Sequence, residues 1–326
     1  MLVHPQLRSL RRRQQGSALM LVFGLIAILT YLIFSTMRVV VNDVEYSMAQ
    51  KKGFRCLCLA ESGLNLAMNP VVQRTDIALL QQSFGEDGYE SFKVSIRGEG
   101  GRLNINALLN STNPDKDLLR QIFRKWGMTD EKEQDTLIDR LIDWVDTDEG
   151  RQEYGMEKEQ YEELGILGYP FDRPFYCLDE LLLVPGFDTI AALKRNWRDF
   201  FTVYSQGKLD LNEATEEMLE LVCDTTPENA REFVESRYGD DNIEDTKDDY
   251  RYSDVTSALA MIAVGSGGMN NSGDFEAQTQ QRVTVNDSTT RIESTGTVGD
   301  FRRRIIVVVR SRQGQPQILT REELPL

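Results

Sequence analysis

The residues best suited to chemistry in this 326-residue chain are oxygen donors. The stretch "DWVDTDEGRQEYGME" sets Asp143, Asp146, Asp148, Glu149 and Glu157 within fifteen positions. Hard carboxylate ligands crowded on a loop suit Ca2+, which takes roughly six to eight oxygens. With Asp146 as position 1, Asp148 falls at 3 and Glu157 at 12, as in an EF-hand loop. Gly150 falls at 5 rather than 6, so the motif is not that one. The alternative is a solvated acidic loop at the end of a helix. A second run, Asp240 to Asp249, holds six carboxylates and one Lys. It reads as an acidic loop without fixed structure, with a second ion as the alternative.

Other chemistries find little support. The single His is His4, and no P-loop, G-x-S-x-G or C-x-x-C pattern is present. Asp143 and Asp146 are a pair that acid–base catalysis can use, but nothing nearby sets their roles apart, and no enzyme activity is expected. "LDELLLVPGFD" looks like a helix-hairpin-helix, a module that often grips DNA backbones. Residues 107–206 hold 21 acids against 12 bases, however, so this face repels phosphate and the hairpin is read as a structural turn. Cys56 and Cys58 lie two apart on a predicted helix and point to different sides. Cys177 and Cys223 are far enough apart to bridge in an oxidising compartment, but sequence does not show that they do.

These groups must be positioned by something, and the N-terminal third supplies the first element. Ser17 to Thr36 carries no charge. At about 1.5 Å rise per residue it spans roughly 30 Å, the hydrocarbon thickness of a bilayer. Arg8, Arg11, Arg12 and Arg13 precede it and no acid does, which predicts a cytoplasmic N-terminus with everything after Met37 across the membrane. With those four Arg set aside, 33 bases face 52 acids and the remainder carries about −19.

Further elements follow from pattern. "FRCLCLAESGLNLAM" keeps Leu57, Ala60, Leu64 and Ala67 at helical spacing, and the first, third and fourth of these are expected to meet partner subunits. "GRLNINALL" (101–109) and "GKLDLNEAT" (207–215) are near copies, each read as a short strand ending at an Asn that caps a helix. Between them, a helix is predicted from a capping box at Thr129, with Leu137, Ile138, Leu141, Ile142 and Val145 as its apolar stripe. "EATEEMLELVC" and "TPENAREFVESR" read as two short helices, and "GSGGMNNSG" as a flexible connection. "QRVTVND", "TTRIESTGTV" and "FRRRIIVVVRS" read as three antiparallel strands, the last two joined at Gly299-Asp300, with a polar tail beyond Gly314. An inserted helical domain explains the near copies; internal duplication is the alternative.

The basic run, then Gly16, then Ser17 opening an apolar helix, resembles the class III leader of type IV pilins and pseudopilins. "AESG", "DWVDTDEGRQEYGMEKEQYEELG", "RPFYCLDELLLVPGFD" and "LDLNEATEEMLELV" resemble, in order, the segments of the minor pseudopilin K family of type II secretion. The resemblance implies an α+β, pilin-like fold: a long N-terminal transmembrane helix, an antiparallel sheet and a large inserted all-helical domain. Its implied boundaries are a leader at 1–16, a membrane segment at 17–36, the helix continuation and first part of the body at 37–106, the inserted domain at 107–206, and the rest of the body at 207–326.

The resemblance also implies cleavage between Gly16 and Ser17 by a prepilin peptidase, which methylates the new N-terminus. Leu21 stands where most pilins carry a Glu that pairs with a neighbouring subunit, and its loss suits a subunit at the tip. By the same resemblance the helical domain binds calcium, through Asp143, Asp146, Asp148, Glu149 and Glu157. The implied partners are I-like and J-like minor pseudopilins and the inner-membrane secretion platform, not nucleic acid. The implied place is the bacterial inner membrane, single-pass, with the C-terminal body in the periplasm. The alternative is a minor pilin priming a type IV pilus.

Overall fold

A computed structural model describes residues 14–110, 112–268 and 275–325. Helix α1 (Gln14–Met68) runs unbroken for 55 residues. It contains a stretch long and apolar enough to cross a membrane. A short turn α2 (Ile77–Leu80) then leads into strands β1 (Gln81–Phe84) and β2 (Glu90–Gly98).

The chain next leaves the sheet for two helical units. The first opens with β3 (Leu103–Asn104) and α3 (Ile105–Leu108). It continues through α4 (Lys116–Lys125), α5 (Glu131–Val145), α6 (Lys158–Glu163) and α7 (Phe187–Leu193), and closes with β4 (Phe201–Thr202). The second opens with β5 (Leu209–Asp210), runs through α8 (Glu216–Cys223), α9 (Pro227–Glu235), α10 (Val255–Ile262) and α11 (Phe275–Arg282), and closes with β6 (Val283–Thr284). The chain then returns to the sheet as β7 (Thr289–Val298), β8 (Phe301–Arg310) and β9 (Gln317–Pro325). The sheet is antiparallel throughout, in the order β1-β2-β7-β8-β9.

Small residues let α1 lie close on this sheet. A Cβ on Gly296 would sit 2.0 Å from the Cys56 carbonyl oxygen, and one on Gly63 would sit 2.6 Å from Ser294 Oγ. Ser294 Oγ donates to the Ala60 carbonyl at 2.7 Å. Cys56, Leu59, Ala60, Leu64 and Ala67 pack there against Phe92, Val94, Ile292, Ile305 and Val307. The end of α1 is held by Arg312, whose guanidinium donates to the carbonyls of Ala67 (2.7 Å), Asn69 (2.9 Å) and Val72. Ala67 is one of the last carbonyls that a helix terminus leaves without intrahelical partners, and Asn69 and Val72 belong to the turn that follows.

The two units share a separate core that runs from Leu103 to Val283, with Phe123, Trp144, Phe187 and Trp197 fully or almost fully buried. The core therefore does not divide at residue 206. Residues 207–284 pack with the helical units, and only 289–325 rejoin the sheet. The near-copied phrases explain this, because each builds the same device. β3 pairs in parallel with β4, and β5 in parallel with β6. Asn104 and Asp210 each accept from the amide two residues on, at 3.0 and 2.9 Å. Asn106 then bonds both backbone groups of Phe175, and Asn212 both of Tyr252, all at 2.8–2.9 Å. The cap of α3 is thus Asn104, and Asn106 instead clamps a distant loop.

Other expectations shift similarly. Helix α5 is capped by Asp130, which accepts from the amides of Lys132 and Glu133, not by Thr129. Its stripe Leu137, Ile138, Leu141, Ile142 and Val145 is buried as predicted. β6 is a parallel strand outside the main sheet, whereas the fifth strand of that sheet, β9, lies in the expected polar tail. Most of "GSGGMNNSG" lies outside the described residues. All four cysteines are free, with Cys177 exposed and Cys223 buried.

Candidate functional site

Helix α5 delivers the acidic cluster. Asp143, in its last turn, is fully buried and accepts from the Gln152 amide at 3.1 Å. Gly155 passes so close that a Cβ there would clash with Asp143 Oδ2. Asp146 is the residue after the helix, with extended backbone, 5 % exposed, and its Oδ1 has no hydrogen-bond partner. Asp148 Oδ1 accepts from the Gly150 amide at 2.7 Å and stays exposed. Glu157 stands before α6, its amide donating to Gln160 Oε1 at 2.9 Å while its buried Oε1 lacks a partner.

Electrostatics binds these groups together. Burial, then repulsion from Asp146 and Asp139, raises Asp143 to about 6. Burial, then repulsion from Asp148 and Asp172, raises Asp146 to about 6 as well. Glu157 rises to about 7 through burial and the charges of Asp143, Asp146, Asp172 and Asp148. No described ion pair includes Asp143, Asp146, Asp148, Asp172 or Glu157, whereas Asp139 pairs with Lys116 at 2.8 Å. Orphaned buried oxygens and repulsion among Asp143, Asp146 and Glu157 are what a cation would relieve, and hard oxygen donors fit Ca2+. Among the described residues, no three acids, Cys or His converge as a ready-made metal set. The cluster is close enough to repel but not pre-assembled.

Of the five expected residues, Asp143, Asp146, Asp148 and Glu157 act on one another, and Glu149 lies at the rim, where it raises Asp172 together with burial. Asp172 is the member that sequence reasoning missed. It adopts a left-handed backbone (φ 50°), and its neighbour Phe171 packs on Trp144 of α5 with ring centroids 5.2 Å apart. That contact brings a distant loop onto the cluster. The aromatic pattern Tyr169, Phe171, Phe175 is the one signal that pointed to it.

The second acidic run is held differently. Asp248 accepts from the amide of Asp240 (2.9 Å) and from Thr246 Oγ1 (2.7 Å), and the Thr246 bond first among its contacts lowers its pKa. Asp245 and Asp249 lie 3.1 and 3.5 Å from Arg74, and Arg97 pairs with Glu244 and Asp245. Arg74 continues to Glu213, which also accepts from Arg251 and the Gly98 amide. This run has its cations already.

Gly16 and Ser17, the expected cleavage site, fall in the first turn of α1, and residues 1–13 of the expected leader lie outside the described residues. Leu21 is 75 % exposed on the apolar stretch. Leu64 and Ala67, expected at a partner interface, are 5 % and 0 % exposed against their own sheet, and Leu57 packs on the same core. Helical spacing marked a buried face correctly, but the chain's own strands bury it.

A long apolar N-terminal helix laid on an antiparallel sheet, with a helical insert between two adjacent strands, is the α+β architecture of a pilin-like subunit. Residues 101–205 match the family model described as type II secretion system (T2SS), protein K. No curated protein matches the chain in sequence. In structure, the chain is similar to one in the crystal structure of the GspK-GspI-GspJ complex from the enterotoxigenic Escherichia coli type 2 secretion system. The TM-score is 0.59 at 16 % identity, covering 87 % of this chain and 99 % of that one. The chain thus carries a protein K segment at residues 101–205 and shares the fold of a chain in that complex.

Proposed function

We propose that this chain is the minor pseudopilin that initiates the pseudopilus and sits at its tip, acting as a structural subunit and not an enzyme. The observation that carries this reading is where the insert grows. At one end of the body, Arg55 of α1 pairs with Glu90 and Cys56 Sγ lies against the Phe301 carbonyl. At the other, Arg312 holds the α1 terminus, and there Gly98 pairs with Thr290. The insert leaves and rejoins the sheet at this second end, farthest from the apolar span. A helical mass of that size leaves no room for a subunit stacked above. Leu21 agrees, since a tip subunit has no neighbour whose N-terminus needs a Glu.

In this reading the prepilin peptidase cuts between Gly16 and Ser17 and methylates Ser17. The span stays in the bacterial inner membrane, with the body in the periplasm and the secretion platform beneath. Ca2+ is held by Asp143, Asp146, Asp148 and Glu157, with Glu149 and Asp172 at the rim, and neutralises a cluster that otherwise repels itself. The support is the pair of orphaned buried oxygens. Co-expression of the full chain with the I-like and J-like pseudopilins of the same genome should yield a three-subunit complex at equal ratio. A solitary chain, or one that joins only after the insert is removed, overturns the tip reading.

A further inference from the structure

Asp139 and Asp143 lie one turn apart on α5, 6 % and 0 % exposed, and the loop after that helix returns to dock on both of them. The Gln152 amide donates to Asp143 Oδ1, and the Tyr154 amide to Asp139 Oδ2, each at 3.1 Å. Between them the chain is turned by the Gly155 amide, which donates to the Gln152 carbonyl at 3.1 Å. The two carboxylates are thus held by the same segment and in the same way.

Their counter-charges differ. Asp139 Oδ1 accepts from Lys116 Nζ at 2.8 Å, and the same ammonium donates to Gln152 Oε1 at 3.2 Å. Asp143 is in no described ion pair, and Asp146 beyond it keeps its orphaned buried oxygen. Lys116 therefore joins α4, α5 and the loop at one point. Its own place is fixed, because it is the first residue of α4 and follows the cap Asp115. Asp115 accepts from the Leu118 amide at 3.1 Å and from Arg282 of α11 at 2.6 and 2.7 Å. Without the ammonium, the loop would keep only its backbone bonds to α5. Asp139 would then be a buried charge without a partner, beside the Asp143 on which its charge already acts.

We propose that Lys116 is a positioning residue for the cation site: by clasping Asp139 and Gln152 it fixes the path of residues 147–156 across α5, so that the loop carries Asp148 to Asp146. The inference rests on the Ca2+ reading and adds to it a residue that touches no ion. Contacts that orient metal ligands from outside typically change metal affinity about ten- to hundred-fold when they are removed. Charge alone predicts the opposite sign. A Lys near an anionic site repels an incoming cation, so deleting it should tighten binding if its charge were all that mattered. Positioning and charge therefore give opposed outcomes for one substitution.

The test is titration of the full chain in detergent with calcium chloride, read by calorimetry. Lys116→Met should raise Kd about ten-fold, whereas Lys116→Arg, which keeps the charge and the reach, should stay near the unmodified value. Trypsin reads the loop directly, because Arg151 is exposed within it. Calcium should protect the bond after Arg151 in the unmodified chain and much less in Lys116→Met. If Lys116→Met does not fold, adding Asp139→Asn removes the unpaired buried charge, and this double variant should bind calcium as weakly. Unchanged or tighter binding in either variant, with the Arg151 bond still protected, overturns the clasp and leaves the Ca2+ reading standing. An unmodified chain that takes up no calcium overturns both.

Discussion

The acids of residues 143–157 and those of residues 240–249 look alike in sequence and are held in opposite ways. In the first segment, burial and mutual repulsion raise three carboxyls, and two oxygens have no partner. In the second, Arg74, Arg97, Thr246 and backbone amides receive the charge. Asp245 there is raised, by burial that outweighs Arg97 and Arg74. Density of acid does not distinguish a cation site from a solvated loop. What distinguishes them is whether the fold supplies positive charge, and that depends on residues more than a hundred positions away.

Removing Arg74 should break the contrast most severely. It is 17 % exposed beside Glu213 at 8 %, and taking one partner from such a buried pair costs about 3–5 kcal/mol. Arg74→Met should therefore unfold the chain at markedly lower urea. Combined with Arg97→Met, it should also make the 240–249 segment respond to calcium. If stability is unchanged, the arginines are not what holds that loop. Calcium itself comes next. An ion that binds only the folded state adds about 2.7 kcal/mol at a hundredfold excess over Kd. Melts of the full chain in detergent, with calcium and with chelator, should differ accordingly, and Asp248→Asn should leave that difference intact.

The pH dependence sharpens the same point. Asp143, Asp146 and Glu157 have folded-state pKa values of about 6, 6 and 7, above their unfolded values of 3.8, 3.8 and 4.5. Their protonated forms therefore favour the folded state. That stability is fully present below about pH 4 and is lost as pH rises through 6 to 7. Chelated protein should thus lose stability across this window, and calcium, competing with protons, should flatten the loss. A chelated chain that gains stability there would show the carboxyls to be well paired. Smallest in effect, Asp146→Asn should stabilise the chelated chain by about 1 kcal/mol, since it removes a repelled charge, while shrinking the calcium response. Destabilisation in both conditions would mean that Asp146 has an ordinary structural role.

Much of this architecture was legible. The uncharged run Ser17–Thr36 announced the anchor, and the stripe from Leu137 to Val145 announced the central helix. What failed was attribution. The periodicity of Leu57, Leu64 and Ala67 reports that a face is buried but not by what. β9 was missed because Arg321, Glu322 and Glu323 make an exposed edge strand read like a tail. The repeated phrases were seen, yet their parallel pairing partners lie 98 residues downstream for β3 and 74 for β5, so the second unit was assigned to the body. Asp172 was missed because aromatic packing, not spacing, carries it to the cluster.

Gly98 and Thr290 are neighbours across the β2–β7 ladder. The helical insert therefore leaves and rejoins the sheet at two adjacent strand ends, and beside them Arg74 and Arg97 tie it to the body through Glu213, Glu244 and Asp245. Force passed up α1 reaches the sheet through Gly63, Gly296 and Arg312 and does not have to cross the insert. A load along α1 thus reaches the far end of the sheet through these contacts, while the insert keeps a core of its own, acid cluster included.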